Sequence, residues 1–261
     1  MHVVQRHAVR RTVAVNGKTL TLLQHFFDTP VAQEIRIPRR ADLTGMKVWP
    51  TALKLLDRLA CDEELQGLRA RAAAASRPLR VLELGSGTGV LGLGFALLGG
   101  GPTEVVVTDP NLPVNLTEAE SASSLEWLQA NVEVNREEMA DLGARVEAHE
   151  LEWSNDGHHA ALRAAHPDDF DMVLGSELLY DPDNYAPLLH TLRRVAAAPH
   201  TLTVLGHTIR HGAEARFRKS AAEAFVRCET HASERAEAGA ATPWEMITLG
   251  GGLRDSSGGG S

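Results

Sequence analysis

The sequence predicts a doubly wound α/β fold with a mostly parallel sheet, preceded by a small β-rich N-terminal extension. Three observations lead there. A buried-type strand over residues 79–84 stops at three alternating glycines, Gly85, Gly87 and Gly89, and a helix-compatible run follows at once. From that point strand-like and helix-like segments alternate, which is the rhythm of parallel strands with helices on both faces. And 261 residues, 43% hydrophobic and 23% charged, suit one such domain with an extension better than two full domains.

The elements follow in chain order. Asn16-Gly17 lies between two β-leaning arms, Val13 to Val15 and Lys18 to Leu22, which is the strongest short hairpin signal. Val31 to Ile37 is expected as a third strand, ended by Pro38. Residues 1–45 therefore form the extension. Val48-Trp49-Pro50 opens a helix: Pro50 suits the first turn, and Leu53, Leu55, Leu56 and Leu59 supply an apolar face. Arg69 to Pro78 reads as an Ala/Arg-rich linker. Strand 79–84 then leads to helix 88–98, and strand 104–108 ends at Asp109-Pro110. A helix over 124–142, a strand over 145–149 and a strand over 170–174 come next. A helix over 184–197, a strand over 201–205 and a helix over 213–225 complete the alternation. Two strand-like pieces, 226–231 and 244–249, close the main domain, 46–252. Between them the Ala/Glu-rich stretch 233–242 is expected to be a loop, and 253–261 a disordered Ser/Gly tail.

Composition excludes several classes. Residues 1–47 hold eight Lys/Arg against three acids, net +5, which leaves −13 on the rest of a chain of net charge −8. An acidic main domain is a poor electrostatic match for nucleic acid. Two cysteines far apart, Cys61 and Cys228, fit a reducing, cytoplasmic compartment rather than a disulfide framework. The acid-free first 27 residues keep organelle import open. The longest apolar run, Val90 to Leu98, is far short of the ~20 residues a membrane span needs. A monomer without membrane contact is expected. No Cys/His cluster has zinc spacing, His207 and His211 are separated by a strand-to-helix junction, and His158-His159 is expected in a loop with Asp156, so no metal is expected.

The glycine run marks a ligand turn, because glycines let a ligand approach main-chain N–H groups at a helix N-terminus. A dinucleotide fingerprint would need a third glycine at position 90, which is Val90. Ligands in such folds bind beyond the carboxyl ends of the strands. There the chain places Glu83 and the glycines, then Asp109, then Leu151-Glu152-Trp153, then Ser176-Glu177-Leu178-Leu179-Tyr180. An acid at Asp109, about twenty residues past the turn, can accept from both ribose hydroxyls. Trp153 can stack on an adenine, worth ~1–3 kcal/mol by analogy with base stacking.

The run Leu82-Glu83-Leu84-Gly85-Ser86-Gly87-Thr88-Gly89, then Thr108-Asp109, Leu128, Asn131-Val132, Asn135, Leu151-Glu152-Trp153, Phe170-Asp171 and Ser176 to Tyr180, resembles the family-16 seven-β-strand methyltransferases. The resemblance reaches upstream to Thr44-Gly45 and Val48-Trp49-Pro50, and downstream to Arg210 and Phe217. It implies a Rossmann-like methyltransferase sheet of seven strands and S-adenosylmethionine as cofactor. The expected activity is methylation of a lysine side chain in another protein. Gly85, Ser86 and Gly87 would hold the amino-acid part of the cofactor, with Glu83 supporting the turn. Asp109 would take the ribose and Trp153 the adenine, Ser176 would line the pocket through its backbone, and Trp49 would close over the cofactor. Glu177 and Tyr180 would frame the acceptor lysine. Glu177 stands where the family usually has Asp, so its carboxylate lies one methylene further out. The polar stretch 116–123 reads as a surface insertion.

A lysine amine must be neutral to attack, and at pH ~7.4 a reference pKa of ~10.4 makes that cost about 4 kcal/mol. Glu177 is expected to hold the incoming ammonium and Tyr180 to give a cation–π wall. Neither is expected to act as a general base. A histidine, an N-terminus or a small amine stays open as acceptor, as does a non-catalytic cofactor-binding role.

Overall fold

The computed structural model describes residues 2–25, 44–115, 121–210, 212–232 and 243–254. The chain divides into two compact units, 1–152 and 153–261.

The first unit begins with α1 (His2–His7) and the antiparallel hairpin β1 (Ala8–Val15) and β2 (Lys18–His25). Asn16 and Gly17 both have positive φ, 49° and 75°, so the turn twists with the strands it joins. Next come α2 (Pro50–Ala60), with Pro50 in its first turn, and α3 (Glu63–Ala74). Then β3 (Leu79–Leu84), α4 (Val90–Leu98) and β4 (Thr103–Asp109) follow. A small antiparallel pair, β5 (Pro113–Asn115) and β6 (Ser121–Ser123), precedes α5 (Ser124–Val134), α6 (Arg136–Asp141) and β7 (Ala144–Glu150). β3 and β4 are almost wholly buried, as parallel strands covered on both faces must be.

The second unit holds α7 (Asp156–Ala165), β8 (Met172–Ser176), α8 (Tyr185–Val195), β9 (Leu202–Thr208), α9 (Glu214–Ala224), β10 (Phe225–Ala232) and β11 (Trp244–Leu253). The central sheet has seven strands in the order β10-β11-β9-β8-β3-β4-β7. The β3/β4, β4/β7 and β8/β9 pairs are parallel; β11 runs antiparallel to both β9 and β10. The seven-stranded, mostly parallel sheet expected from the sequence is therefore present.

Three local expectations fail for physical reasons. The supposed linker over 69–78 is mostly the end of α3. Asp62 caps that helix by accepting from the Leu65 N–H at 2.9 Å, and Leu65, Leu68 and Ala72 turn one face inward. The single helix expected over 124–142 breaks at Asn135 (φ −112°, ψ 4°), whose side chain is committed elsewhere. His158 and His159 lie on α7 rather than in a loop, with Asn155 capping the helix through the N–H groups of Gly157 and His158. The expected strand 31–37, the loop 233–242 and residues 255–261 of the expected tail 253–261 lie outside the described residues, while Leu253 ends β11 and Arg254 donates to the Phe225 carbonyl.

Candidate functional site

In the first unit the glycine loop is built by three left-handed residues in alternation: Gly85, Gly87 and Gly89 have φ of 57°, 54° and 78°. L side chains resist that conformation, so the G-x-G-x-G spacing is a backbone requirement. Ser86 stitches the loop to the end of β4. Its N–H donates to the Thr108 carbonyl (2.8 Å), and its Oγ accepts from the Thr108 N–H (3.0 Å). The next residue along β4, Asp109, accepts from the Gly87 N–H through Oδ2 at 2.8 Å. The loop and its acid thus arrive as one hydrogen-bonded piece.

Glu83 lies beneath that piece, buried, and its Oε2 accepts from the Gly92 N–H at 2.9 Å in the first turn of α4. Burial pushes its carboxyl up to about 8, which keeps it protonated at neutral pH. It supports the turn as a neutral acid, not as a charge.

The segment leading into α2 crosses the loop. A Cβ on Gly87 would stand 2.6 Å from the Gly45 carbonyl oxygen, so residue 87 must be glycine on grounds of space as well as of φ. Four residues on, Trp49 is the extended residue that caps α2, and the Lys47 ammonium lies 5.7 Å from its ring centroid.

In the second unit Trp153 opens the chain ahead of α7. Its carbonyl accepts from the Thr191 hydroxyl (2.8 Å) and lies 3.1 Å from His159 Nε2. Its indole Nε1 is buried and has no hydrogen-bond partner among the described residues. Ser176 ends β8, paired in register with Gly206 of β9. Glu177 follows with φ +57°, a conformation that costs a non-glycine residue roughly 1–2 kcal/mol.

What holds that strained residue differs from the open ammonium acceptor implied by the resemblance. Glu177 is buried and turns back on β9: Oε1 accepts from the Thr208 N–H (3.1 Å) and hydroxyl (2.5 Å). Oε2 pairs with Arg210 Nη2 at 2.7 Å. The methylene that distinguishes Glu from Asp gives the carboxylate the reach to do this. Tyr180, three residues on, is exposed at 38%.

Two residues outside the expected site set support the same loop. The buried Tyr185 hydroxyl donates to the Leu179 carbonyl at 3.0 Å, and Phe217 packs edge-on against the Tyr185 ring with centroids 5.7 Å apart. Arg210 and Phe217, which entered only through the resemblance, thus brace residues 177–180. Tyr185 was missed; its place at a helix start gave no chemical signal. His207 is buried on the next strand, and burial lowers its pKa; its Nε2 is 3.6 Å from Glu245. His211 lies outside the described residues.

A family model described as lysine methyltransferase matches residues 34–224. Mouse EEF1A lysine methyltransferase 3 is 34% identical over 175 residues, covering 66% of this chain and 60% of that protein. Mouse protein N-lysine methyltransferase METTL21A is 29% identical over 159 residues, covering 61% of this chain and 63% of that protein. The matched part thus spans less than two thirds of either relative. Among solved structures, that of SMU.776 complexed with SAH aligns with a TM-score of 0.51 and 12% identity, over 92% of this chain and 55% of that one, and shares the fold.

The family implies S-adenosylmethionine as methyl donor, and the residues present fit it. The Thr88 hydroxyl within the loop is buried with no hydrogen-bond partner among the described residues. Asp109 supplies a carboxylate at the strand end, oriented by the loop itself.

Proposed function

The chain belongs to the lysine methyltransferase family, and we propose from that premise that it transfers a methyl group from S-adenosylmethionine to a lysine side chain of a protein partner. The observation that carries the donor half of this reading is the Gly87–Asp109 hydrogen bond, which fixes a strand-end carboxylate against the glycine loop. When bound, the donor supplies an electrophilic methyl carbon on a sulfonium. Gly85, Ser86, Gly87 and Thr88 bind its amino-acid end, Asp109 its ribose and Trp153 its adenine, with Trp49 as cover and Ser176 lining the pocket through its backbone.

The acceptor is handled by residues 177–180. Tyr180 is exposed and offers a ring face to an approaching ammonium or amine. Glu177, its charge offset by Arg210, fixes the loop that carries Tyr180. The amine gives its proton to water before attack, so no side chain acts as base. A dry, preorganised site lowers the ~4 kcal/mol that deprotonating a lysine at pH ~7.4 would otherwise take. Positioning and desolvation are then the protein's main contributions. Two free cysteines support a cytoplasmic setting, and the acidic main part argues against nucleic acid as substrate. Among the described residues no helix is long and apolar enough to cross a membrane. The reading extends to an enzyme that acts as a monomer.

Calorimetry with S-adenosylmethionine against NAD tests the donor: heat with the first alone is expected, and none with it overturns the reading. Labelled donor incubated with a proteome extract, followed by residue analysis of the labelled band, tests the acceptor. Methyllysine is expected; label on histidine or on no protein overturns the acceptor assignment. Asp109→Ala should abolish measurable donor binding. Tyr180→Ala should spare it and cut turnover, and unchanged turnover would remove Tyr180 from the site.

A further inference from the structure

The hairpin of the N-terminal extension is docked by side chains that imitate a strand. The edge of β2 turned away from β1 meets α5 and its C-cap, Asn135. Asn135 accepts from the Thr21 N–H through Oδ1 (2.9 Å) and donates to the Thr21 carbonyl through Nδ2 (2.6 Å). Asn131 does the same for Leu23, accepting at 2.6 Å and donating at 3.1 Å. A carboxamide offers one acceptor and two donor hydrogens, which is what an edge peptide seeks from a neighbour. The spacing follows from geometry. Edge-facing peptides recur every two residues of strand, about 6.8 Å, and four residues of helix rise about 6 Å. Asparagines four apart on a helix therefore match peptides two apart on a strand.

Asn131 has one amide hydrogen left, and donates to the carbonyl of Thr88 at 2.9 Å, inside the glycine loop. Its side chain is completely buried, so neither bond competes with water. A single carboxamide joins the hairpin edge to the loop. The far end of the hairpin grips the same loop–helix piece from the other side. The Asn16 amide donates to the Leu98 carbonyl (3.0 Å) and the Lys18 ammonium to the Leu97 carbonyl (2.9 Å), at the C-terminus of α4. Carbonyls there lack helical partners, and a cation suits the negative end of the helix dipole. At the α5 end of the hairpin, Val4, Leu23, Met46, Val114 and Trp127 share a buried cluster, and the Trp127 indole donates to the Leu23 carbonyl. Met46 adjoins Gly45, whose carbonyl lies against Gly87.

We infer that Asn131 is a positioning residue through which docking of the N-terminal hairpin sets the geometry of residues 85–89, so that donor affinity is coupled to hairpin docking. This rests on the reading of that loop as the S-adenosylmethionine site. The hairpin is then a regulatory handle: whatever loosens its edge lowers affinity without touching a residue that contacts the donor.

The test uses the full chain and two kinds of variant. Asn16→Gly, which keeps a residue that tolerates the positive φ there, with Lys18→Ala removes only the distant grip. Asn131→Asp keeps the acceptor for Leu23 but turns an oxygen toward two carbonyls. Hydrogen exchange of the donor-free protein is read over 18–25 and 85–92, and S-adenosylmethionine affinity by calorimetry. The distant pair should raise exchange in both segments and weaken affinity about tenfold, a typical coupling, with kcat at saturating donor unchanged. Asn131→Asp should weaken affinity at least as much, and adding the distant pair to it should change affinity no further. Faster exchange in the hairpin with the loop unaffected overturns the inference. So does a hairpin indifferent to the loss of both grips, or affinity losses that add in the triple variant. If the wild-type chain binds no S-adenosylmethionine, the proposed function fails, while the exchange data still decide the coupling.

Discussion

Gly92→Ala isolates the support beneath the donor loop, and its sign runs against helix propensity. Within a helix, Gly→Ala ordinarily stabilises by roughly 0.5–1 kcal/mol. At position 92 the new Cβ would stand 2.6 Å from Glu83 Oε2 and 2.6 Å from Val107 Cγ1. Both side chains are buried in central strands, so neither can swing into solvent. Overpacking of this kind costs about 1–3 kcal/mol, and displacing Glu83 from the Gly92 N–H leaves buried polar groups unpaired for about 1–3 more. Set against the propensity gain, the net expectation is a loss of roughly 1–5 kcal/mol. Gly67 is the control. It lies in α3 with nothing within 4 Å of an added Cβ, so Gly67→Ala should stabilise by about 0.5–1 kcal/mol. Urea denaturation at pH 7 reads both. Gly92→Ala should also weaken S-adenosylmethionine binding in calorimetry, because it unseats the residue under the turn. A Gly92→Ala protein as stable as the wild type would refute the assigned packing of Glu83 against α4.

Glu83→Gln tests the same carboxyl by pH. The folded protein holds that proton up to about 8, whereas an ordinary carboxyl releases it near 4.5. Between those values the folded state binds more protons than the unfolded chain, so this group's contribution to stability falls as pH rises through the window. Thermal midpoints at pH 5 and pH 8 should therefore fall further for wild type than for Glu83→Gln; equal falls would show that Glu83 titrates normally. Arg210→Ala removes the guanidinium that pairs with the buried Glu177 carboxylate. Since Arg210 is 37% exposed, a loss of about 1–2 kcal/mol is expected, below the full value of a charged hydrogen bond. Turnover should fall with donor affinity intact, and the reverse pattern in calorimetry and kinetics would place Arg210 on the donor side. Tyr185→Phe removes the hydroxyl that holds the Leu179 carbonyl; about 1 kcal/mol of stability and part of kcat should go, with the donor Kd unchanged.

The backbone of the glycine loop proposed to hold the donor was legible because its determinants are local. Gly85, Gly87 and Gly89 announce a backbone conformation that only glycine takes freely, and Pro50 and Asn16-Gly17 announce a helix start and a hairpin turn in the same way. Where composition stood in for pattern, the reading slipped. Residues 69–74 looked like a linker because alanines and arginines carry no hydrophobic stripe, although Leu65, Leu68 and Ala72 bury one face of α3. The pair Asn131 and Asn135 was visible as spacing, yet its meaning depends on Thr21 and Leu23, more than a hundred residues earlier.

The acceptor half was harder for a physical reason that bears on the chemistry. A carboxylate at a strand end reads as an open charge, and whether it stays open is decided by Thr208 and Arg210, which arrive 31 and 33 residues later. Those partners change what Glu177 can do. An ammonium arriving at a carboxylate already paired with a guanidinium and two Thr208 donors meets little net charge, so long-range attraction to this residue is weak. Discrimination among acceptors then falls on contacts that survive deprotonation: the Tyr180 ring and the shape of the loop that Tyr185 and Phe217 hold. On the proposed reading, such an arrangement favours the neutral amine that reacts over the ammonium that does not. It follows that Glu177→Asp, which shortens the reach to Thr208, should disturb turnover through loop position and leave the charge at the site unchanged. A steeper pH dependence of kcat/KM in that variant, with the donor Kd unaltered, would instead mean that the freed carboxylate had begun to hold the ammonium form.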